Sequence, residues 1–81
     1  MPNYLSNEGL EKLKQELQDM KSDGRKEIAQ RLEDAKALGD LSENSEYQEA
    51  REAQELLEQK ILELEEALRN AVVIEKTGTT D

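Results

Sequence analysis

Two stripes of apolar side chains, each repeating at spacings of three or four residues, constrain the fold of this 81-residue chain more than any other feature. Such spacings place a stripe along one face of a helix, as in coiled coils. Residues 39–47, which we call the tip, separate the two patterns. The first stripe comprises Leu10, Leu13, Leu17, Met20, Gly24, Ile28, Leu32, Ala35 and Leu38, and the second comprises Tyr47, Ala50, Ala53 or Gln54, Leu57, Ile61, Leu64 and Leu68.

The two stripes can face each other if the chain folds back near residues 40–41. Facing residues then have numbers that add up to a constant, and six pairs give 81 or 82. We therefore predict an all-α fold, a long antiparallel two-helix coiled-coil hairpin with an acidic tip, in which each helix has about 30 residues and a length of roughly 45 Å. The pairs are Ala35 with Tyr47, Leu32 with Ala50, Gly24 with Leu57, Met20 with Ile61, Leu17 with Leu64, and Leu13 with Leu68.

The first stripe contains a stretch, residues 22–24 (Ser-Asp-Gly), that permits two interpretations. It is either a loop that splits the segment or a weak point in one helix, since a glycine inside a helix costs only about 1 kcal/mol relative to alanine. Because the stripe resumes after Gly24, we expect one continuous helix, with or without a bend. Ser6 is a suitable N-cap for this helix, and Gly39 is a suitable C-terminal stop.

The end of the chain changes character, because residues 72–74 are β-branched and typical of a strand. This strand has no evident partner in the sequence, so it resembles the opening of a second domain. We therefore expect an N-terminal antiparallel coiled-coil domain over residues 1–75, followed at residues 76–81 by a linker or the start of an absent C-terminal domain.

Charge and composition exclude several classes of function. The formal net charge is -9, and residues 40–70 carry ten acidic against three basic side chains, so a general surface for duplex DNA is not expected. Cysteine and histidine are both absent, which excludes disulfides, thiolate chemistry and histidine-ligated metals. No apolar run approaches the length of a membrane span, and we expect a cytoplasmic protein with no membrane partner.

The tip holds three carboxylates, those of Asp40, Glu43 and Glu46. In the ordinary interpretation they complement the dipole of the second helix, which would start near Ser42 or Glu43 with Asp40 or Ser42 as its cap. In the alternative, Asp40 and Glu43 converge across a turn and bind a divalent cation. Mg²⁺ is often held by one or two protein carboxylates with water and phosphate oxygens. Two exposed carboxylates cannot make a tight site alone, so a partner would supply the other ligands.

The chain resembles the N-terminal domain of the bacterial Gre transcript cleavage factors over essentially its whole length. The resemblance is most specific in residues 37–47 (ALGDLSENSEY), followed by residues 50–52 (ARE). Residues 10–13 (LEKL) and residues 70–74 (NAVVI) also resemble that family. The family also carries a C-terminal domain, which we expect to be absent from this chain, and without it we expect weak independent binding to RNA polymerase.

The resemblance implies a function. Gre factors insert an antiparallel coiled coil into the secondary channel of bacterial RNA polymerase and reach the RNA 3′ end of a backtracked complex. Asp40 and Glu43 match the acidic pair that helps hold a catalytic Mg²⁺ jointly with the polymerase, which then cleaves its own transcript. The factor would supply carboxylates and would not be an enzyme by itself. The resemblance also places the chain among DNA-binding regulators of transcription.

The resemblance assigns further roles around the acidic pair. Asn44, Ser45 and Glu46 would shape the tip or contact the polymerase. Lys36 and Arg51 match a basic patch near the RNA 3′ end, although a lysine and an arginine on an exposed helical face are ordinary.

Two other functions remain open from the sequence. A Gre-fold homologue could occupy the same channel and inhibit the polymerase, since such relatives also have acidic tips. The spacing of Asp40 and Glu43, which matches the cleavage factors, favours stimulation. The chain could also be a plain structural or dimerisation coiled coil, in which case the tip would be dispensable.

Overall fold

A computed structural model describes residues 3–40 and 43–74 of the chain. The structure is mostly helical and elongated, with principal extents of 64 × 22 × 14 Å. In chain order the elements are strand β1 (Asn3–Leu5), helix α1 (Asn7–Asp19), a π-helical turn (Met20–Gly24), helix α2 (Arg25–Lys36), helix α3 (Ser45–Arg69) and strand β2 (Ala71–Val73).

The first helical segment runs from α1 through the π-helical turn into α2 without a loop. Ser6 caps it as predicted, because its Oγ accepts a hydrogen bond of 3.0 Å from the backbone N–H of Gly9. The prediction of one continuous helix past Gly24 is confirmed. The π-helical turn itself was not predicted, and in it the backbone N–H of Arg25 donates to the carbonyl of Met20, five residues earlier.

The first segment and α3 lie side by side, linked by ion pairs. The Nζ of Lys21 lies 3.1 Å from a Glu65 carboxylate oxygen, and Arg25 binds Glu58 at 2.8 Å. Nearer the tip, the guanidinium of Arg31 lies 3.8 Å from Glu49. As residue numbers rise along the first segment, those of the partners on α3 fall.

The core between the two segments is narrow. Among the described residues its fully buried side chains are Ala35, Ala50 and Ile61. All twelve residues of the six predicted pairs are buried or half-buried. The pairing of Gly24 with Leu57 is confirmed directly, because a Cβ built on Gly24 would lie 3.3 Å from Leu57 Cδ1. Leu38 was wrongly assigned to the stripe: it is 68% exposed, because α2 has already ended at Lys36.

The all-α prediction is incomplete, because the structure also contains a two-stranded parallel sheet. β2 pairs with β1, in a register that places Tyr4 beside Val72, and the backbone N–H of Ile74 donates to the carbonyl of Leu5 at 2.7 Å. The expectation that the C-terminal strand lacks a partner was therefore wrong. Three residues of β1 are too few to show an alternating pattern, so this partner could not be recognised from the sequence.

The helix ends at the tip also differ from prediction. α2 ends three residues before Gly39, whose positive φ of 121° instead falls in the turn that follows. α3 begins later than expected, with Asn44 rather than Asp40 or Ser42 as its cap. Ser42 itself lies outside the described residues, as does the predicted domain boundary after residue 75. Within residues 3–40 and 43–74, no helix is both long and apolar enough to cross a membrane.

Candidate functional site

The predicted acidic pair lies in the connection between α2 and α3. Asp40 follows Gly39, and Glu43 precedes the cap residue of α3. Both are exposed. Since glycine adopts a positive φ without the steric cost that other residues incur, Gly39 allows the chain to turn immediately before Asp40.

Asn44 connects the two helix ends beside this pair. Its Oδ1 accepts a hydrogen bond of 3.1 Å from the backbone N–H of Tyr47, which satisfies one of the free donors at the start of α3. Its Nδ2 donates to the carbonyl oxygen of Ala35, in the last turn of α2, at 2.6 Å. Asn44 was predicted to lie at the tip, but neither its role as the N-cap nor its bond to Ala35 was predicted. A signal for the N-cap was present, because asparagine is among the residues preferred at the start of a helix.

Ser45 and Glu46 form the start of α3, and both are exposed. The carboxylate of Glu46 lies in the first turn, where it complements the positive end of the helix dipole. The next residue, Tyr47, is half-buried and belongs to the packed stripe. Glu46 therefore has an ordinary structural role that Asp40, outside any helix, does not share.

The two predicted basic residues are exposed on different helices. Lys36 is the last residue of α2, where a positive charge complements the helix dipole. Arg51 lies in the second turn of α3, and its Nη1 donates to Oε1 of Gln54 at 2.8 Å. This bond holds the guanidinium along α3.

The donors at the tip suit Mg²⁺ in chemical type but are few. Mg²⁺ prefers oxygen ligands, which both carboxylates provide. Across residues 3–40 and 43–74, no group of three or more acidic side chains could hold a metal ion.

The family of the chain follows from comparison with known proteins. A family model described as "Transcription elongation factor, N-terminal", which represents GreA and GreB, matches residues 3–73. The chain therefore belongs to this family of transcription elongation factor N-terminal domains, and the resemblance found in the sequence is confirmed.

Individual relatives agree with the family assignment. Transcription elongation factor GreA of Amoebophilus asiaticus is 53% identical over 74 residues, which cover 91% of this chain and 47% of that protein. GreA of Bacillus cytotoxicus is 49% identical with the same coverage. GreA of Oceanobacillus iheyensis is 47% identical over 72 residues, covering 89% of this chain and 46% of that protein. The chain thus spans about half the length of these relatives.

Proposed function

We propose that this chain is the part of a bacterial transcription elongation factor that enters the secondary channel of RNA polymerase and stimulates cleavage of backtracked RNA. The observation that carries the proposal is the family match over residues 3–73, which includes the whole acidic tip. The 46–53% identity to proteins named transcription elongation factor GreA supports the same function. The chain would act in the cytoplasm, where bacterial RNA polymerase works.

The proposed architecture is an antiparallel coiled-coil hairpin that carries the acidic tip at one end. The falling partner numbers of the three ion pairs between the segments support opposite helix directions. A length of 64 Å and a second dimension of 22 Å suit a rod that reaches down a channel. The exposed tip would then contact the polymerase before the paired helices, which we call the stalk.

Asp40 and Glu43 are the proposed catalytic carboxylates. Their exposure and oxygen donors suit a shared Mg²⁺ site, in which RNA polymerase supplies the remaining ligands. A metal ion held in this way helps to orient and activate an attacking water. On this proposal the chain is not an enzyme by itself, because it donates side chains to the active centre of another protein.

Lys36 and Arg51 are proposed to lie near the RNA 3′ end. Both are exposed and lie close in sequence to the tip, on α2 and α3 respectively. Their positive charges would offset repulsion between the acidic tip and RNA phosphates. Asn44, Ser45 and Glu46 are proposed to support the tip.

The test is a transcript cleavage assay on stalled, backtracked RNA polymerase with the variants Asp40→Asn and Glu43→Gln. Each change keeps the size of the side chain and removes its charge, so we expect stimulated cleavage to fall by at least about a hundredfold with folding unchanged. Glu55→Gln is the matched control, since Glu55 is an exposed carboxylate of α3 beyond the tip and outside the residues that carry the family resemblance.

Two results would count against this function. Cleavage by either tip variant at the wild-type rate would contradict the proposal that Asp40 and Glu43 hold a metal ion. Slower elongation without cleavage by the wild-type chain would instead favour a channel-occupying inhibitor.

A further inference from the structure

One side chain ties together the two helix ends that flank the proposed catalytic carboxylates. The amide of Asn44 donates to the carbonyl of Ala35 and accepts from the backbone N–H of Tyr47, and both hydrogen bonds are partly buried. Because both polar atoms of the amide are engaged, rotation of the side chain would break at least one bond. Asn44 is therefore held in one orientation by α2 and α3 together.

These two bonds join the end of α2 to the start of α3, on either side of Asp40 and Glu43. Glu43 immediately precedes Asn44, so a single peptide unit joins its backbone to the anchored residue. On the other side, the carbonyl of Ala35 also accepts from the N–H of Leu38 at 3.0 Å, which starts the turn towards Asp40. Asn44 thus links the last turn of α2, five residues before Asp40, to the residue after Glu43, while both carboxylates remain exposed.

We propose that Asn44 is a positioning residue that fixes Asp40 and Glu43 relative to the helices, an inference that rests on the proposed function. It acts through those carboxylates. A neutral carboxamide of this length supplies the donor and the acceptor that the site requires. A carboxylate has no N–H or O–H to donate to the carbonyl of Ala35. The hydroxyl of serine can donate, but it lies closer to its own backbone and would not reach that carbonyl.

Two variants separate the bond to Ala35 from the helix cap. Asn44→Asp and Asn44→Ser both keep a good N-cap for Tyr47 and both lose the bond to Ala35. Aspartate adds a negative charge to the tip and serine does not. An effect shared by the two variants therefore cannot be due to charge.

The kinetic test measures stimulated cleavage against the concentration of the chain, well below its unfolding temperature. We expect the maximal rate to fall by about tenfold or more in both variants, because small misplacements of catalytic groups slow reactions steeply. The half-saturating concentration should stay within about twofold of wild type, since the sides of the stalk are unchanged. A wild-type maximal rate in either variant would overturn the inference, as would a raised half-saturating concentration with an unchanged maximal rate.

A second measurement does not depend on RNA polymerase. Amide order parameters from ¹⁵N relaxation should fall at Asp40 and Glu43 in both variants and remain unchanged in the middle of α3. Unchanged order parameters at these two residues would overturn the inference. If the wild-type chain fails to stimulate cleavage, the proposed function fails, and the order parameters alone then decide whether Asn44 fixes the two carboxylates.

Discussion

The two halves of the helical pair differ by one residue in register. In the half towards the sheet, which we call the base half, the predicted pairs from Leu13 with Leu68 to Gly24 with Leu57 have numbers that add up to 81. In the tip half, Leu32 with Ala50 and Ala35 with Tyr47 give 82. The first segment therefore contains one residue more than α3 between the same layers.

The π-helical turn lies immediately before the change of register, which falls between Gly24 and Leu32. The stripe of α3 alternates spacings of three and four, whereas the first stripe has three successive spacings of four between Met20 and Leu32. A π-helical turn closes its hydrogen bond over five residues instead of four, so it accommodates one additional residue within a helix. The bond from Arg25 N–H to the carbonyl of Met20 ends just past Gly24, where the change of register begins. The turn thus lets both halves pack with the same apolar faces.

The two halves also differ in how they are packed and closed. The base half buries the large side chain of Ile61 and ends in a parallel pair of strands joined through backbone groups. Among its described residues the tip half buries only Ala35 and Ala50, and Asn44 bridges its two helix ends. Small side chains allow close approach of the helices and a slender tip. The tip therefore relies on a specific side chain where the base relies on backbone pairing.

The largest effect is expected from single-residue deletions that change the register. At present the first segment has one residue more than α3 between the same layers, and deletion of Gln59 from α3 raises this difference to two. The deletion also turns Ile61, Leu64 and Leu68 away from the packed face. We expect the free energy of unfolding, measured with chemical denaturant, to fall by at least about 4 kcal/mol, as for loss of several core contacts.

Deletion of Lys26 from the first segment is the matched control. It gives spacings of three and four from Leu10 to Ala35 and removes the mismatch, so we expect the free energy of unfolding to change by less than about 1 kcal/mol. Equal losses in the two deletions would mean that the π-helical turn reflects only the local sequence of residues 22–24. The register argument would then be wrong.

A smaller effect is expected when the packing of the base half is weakened without a change of register. Ile61 is 2% exposed, so Ile61→Ala should lower the free energy of unfolding by about 2–3 kcal/mol in a denaturant titration. Leu62 is 65% exposed on the same helix, and Leu62→Ala should change it by less than about 0.5 kcal/mol. Similar losses in both would indicate that Ile61 contributes little to the core.

The sequence predicted the parts of this molecule that depend on periodic patterns. The stripes identified the packed residues and their pairing to within one residue, but they did not predict the π-helical turn. Interactions without a period could not be predicted in this way. Pairing of β1 with β2 depends on backbone groups at opposite ends of the chain. The bond from Asn44 to the carbonyl of Ala35 depends on how the chain turns at Gly39, which no spacing rule gives.

The smallest effect concerns the ion pair of Arg25 and Glu58, which lies just beyond the π-helical turn. Arg25 donates two hydrogen bonds to Glu58, at 2.9 and 2.8 Å. These bonds lower the pKa of Glu58 below its ordinary value of 4.5, and the same contact raises the pKa of Arg25. Both side chains are nearly half exposed, so water and salt weaken the attraction.

The sign of the resulting pH dependence follows from the direction of the Glu58 shift. A carboxyl group with a lowered pKa in the folded state stabilises the fold above its unfolded pKa, and this contribution is lost as the pH falls through the folded pKa. Wild type should therefore lose slightly more stability than Glu58→Gln as the pH is lowered from about 6 to about 3. Unfolding midpoints at low salt measure this difference.

Glu55→Gln is the control, because Glu55 is an exposed carboxylate on the same helix, and it should keep the wild-type pH profile. If Glu58→Gln also keeps that profile, the bidentate pair does not couple the two segments in solution. The register beyond Gly24 would then depend on apolar packing, the tip and the longer ion pair of Arg31 with Glu49.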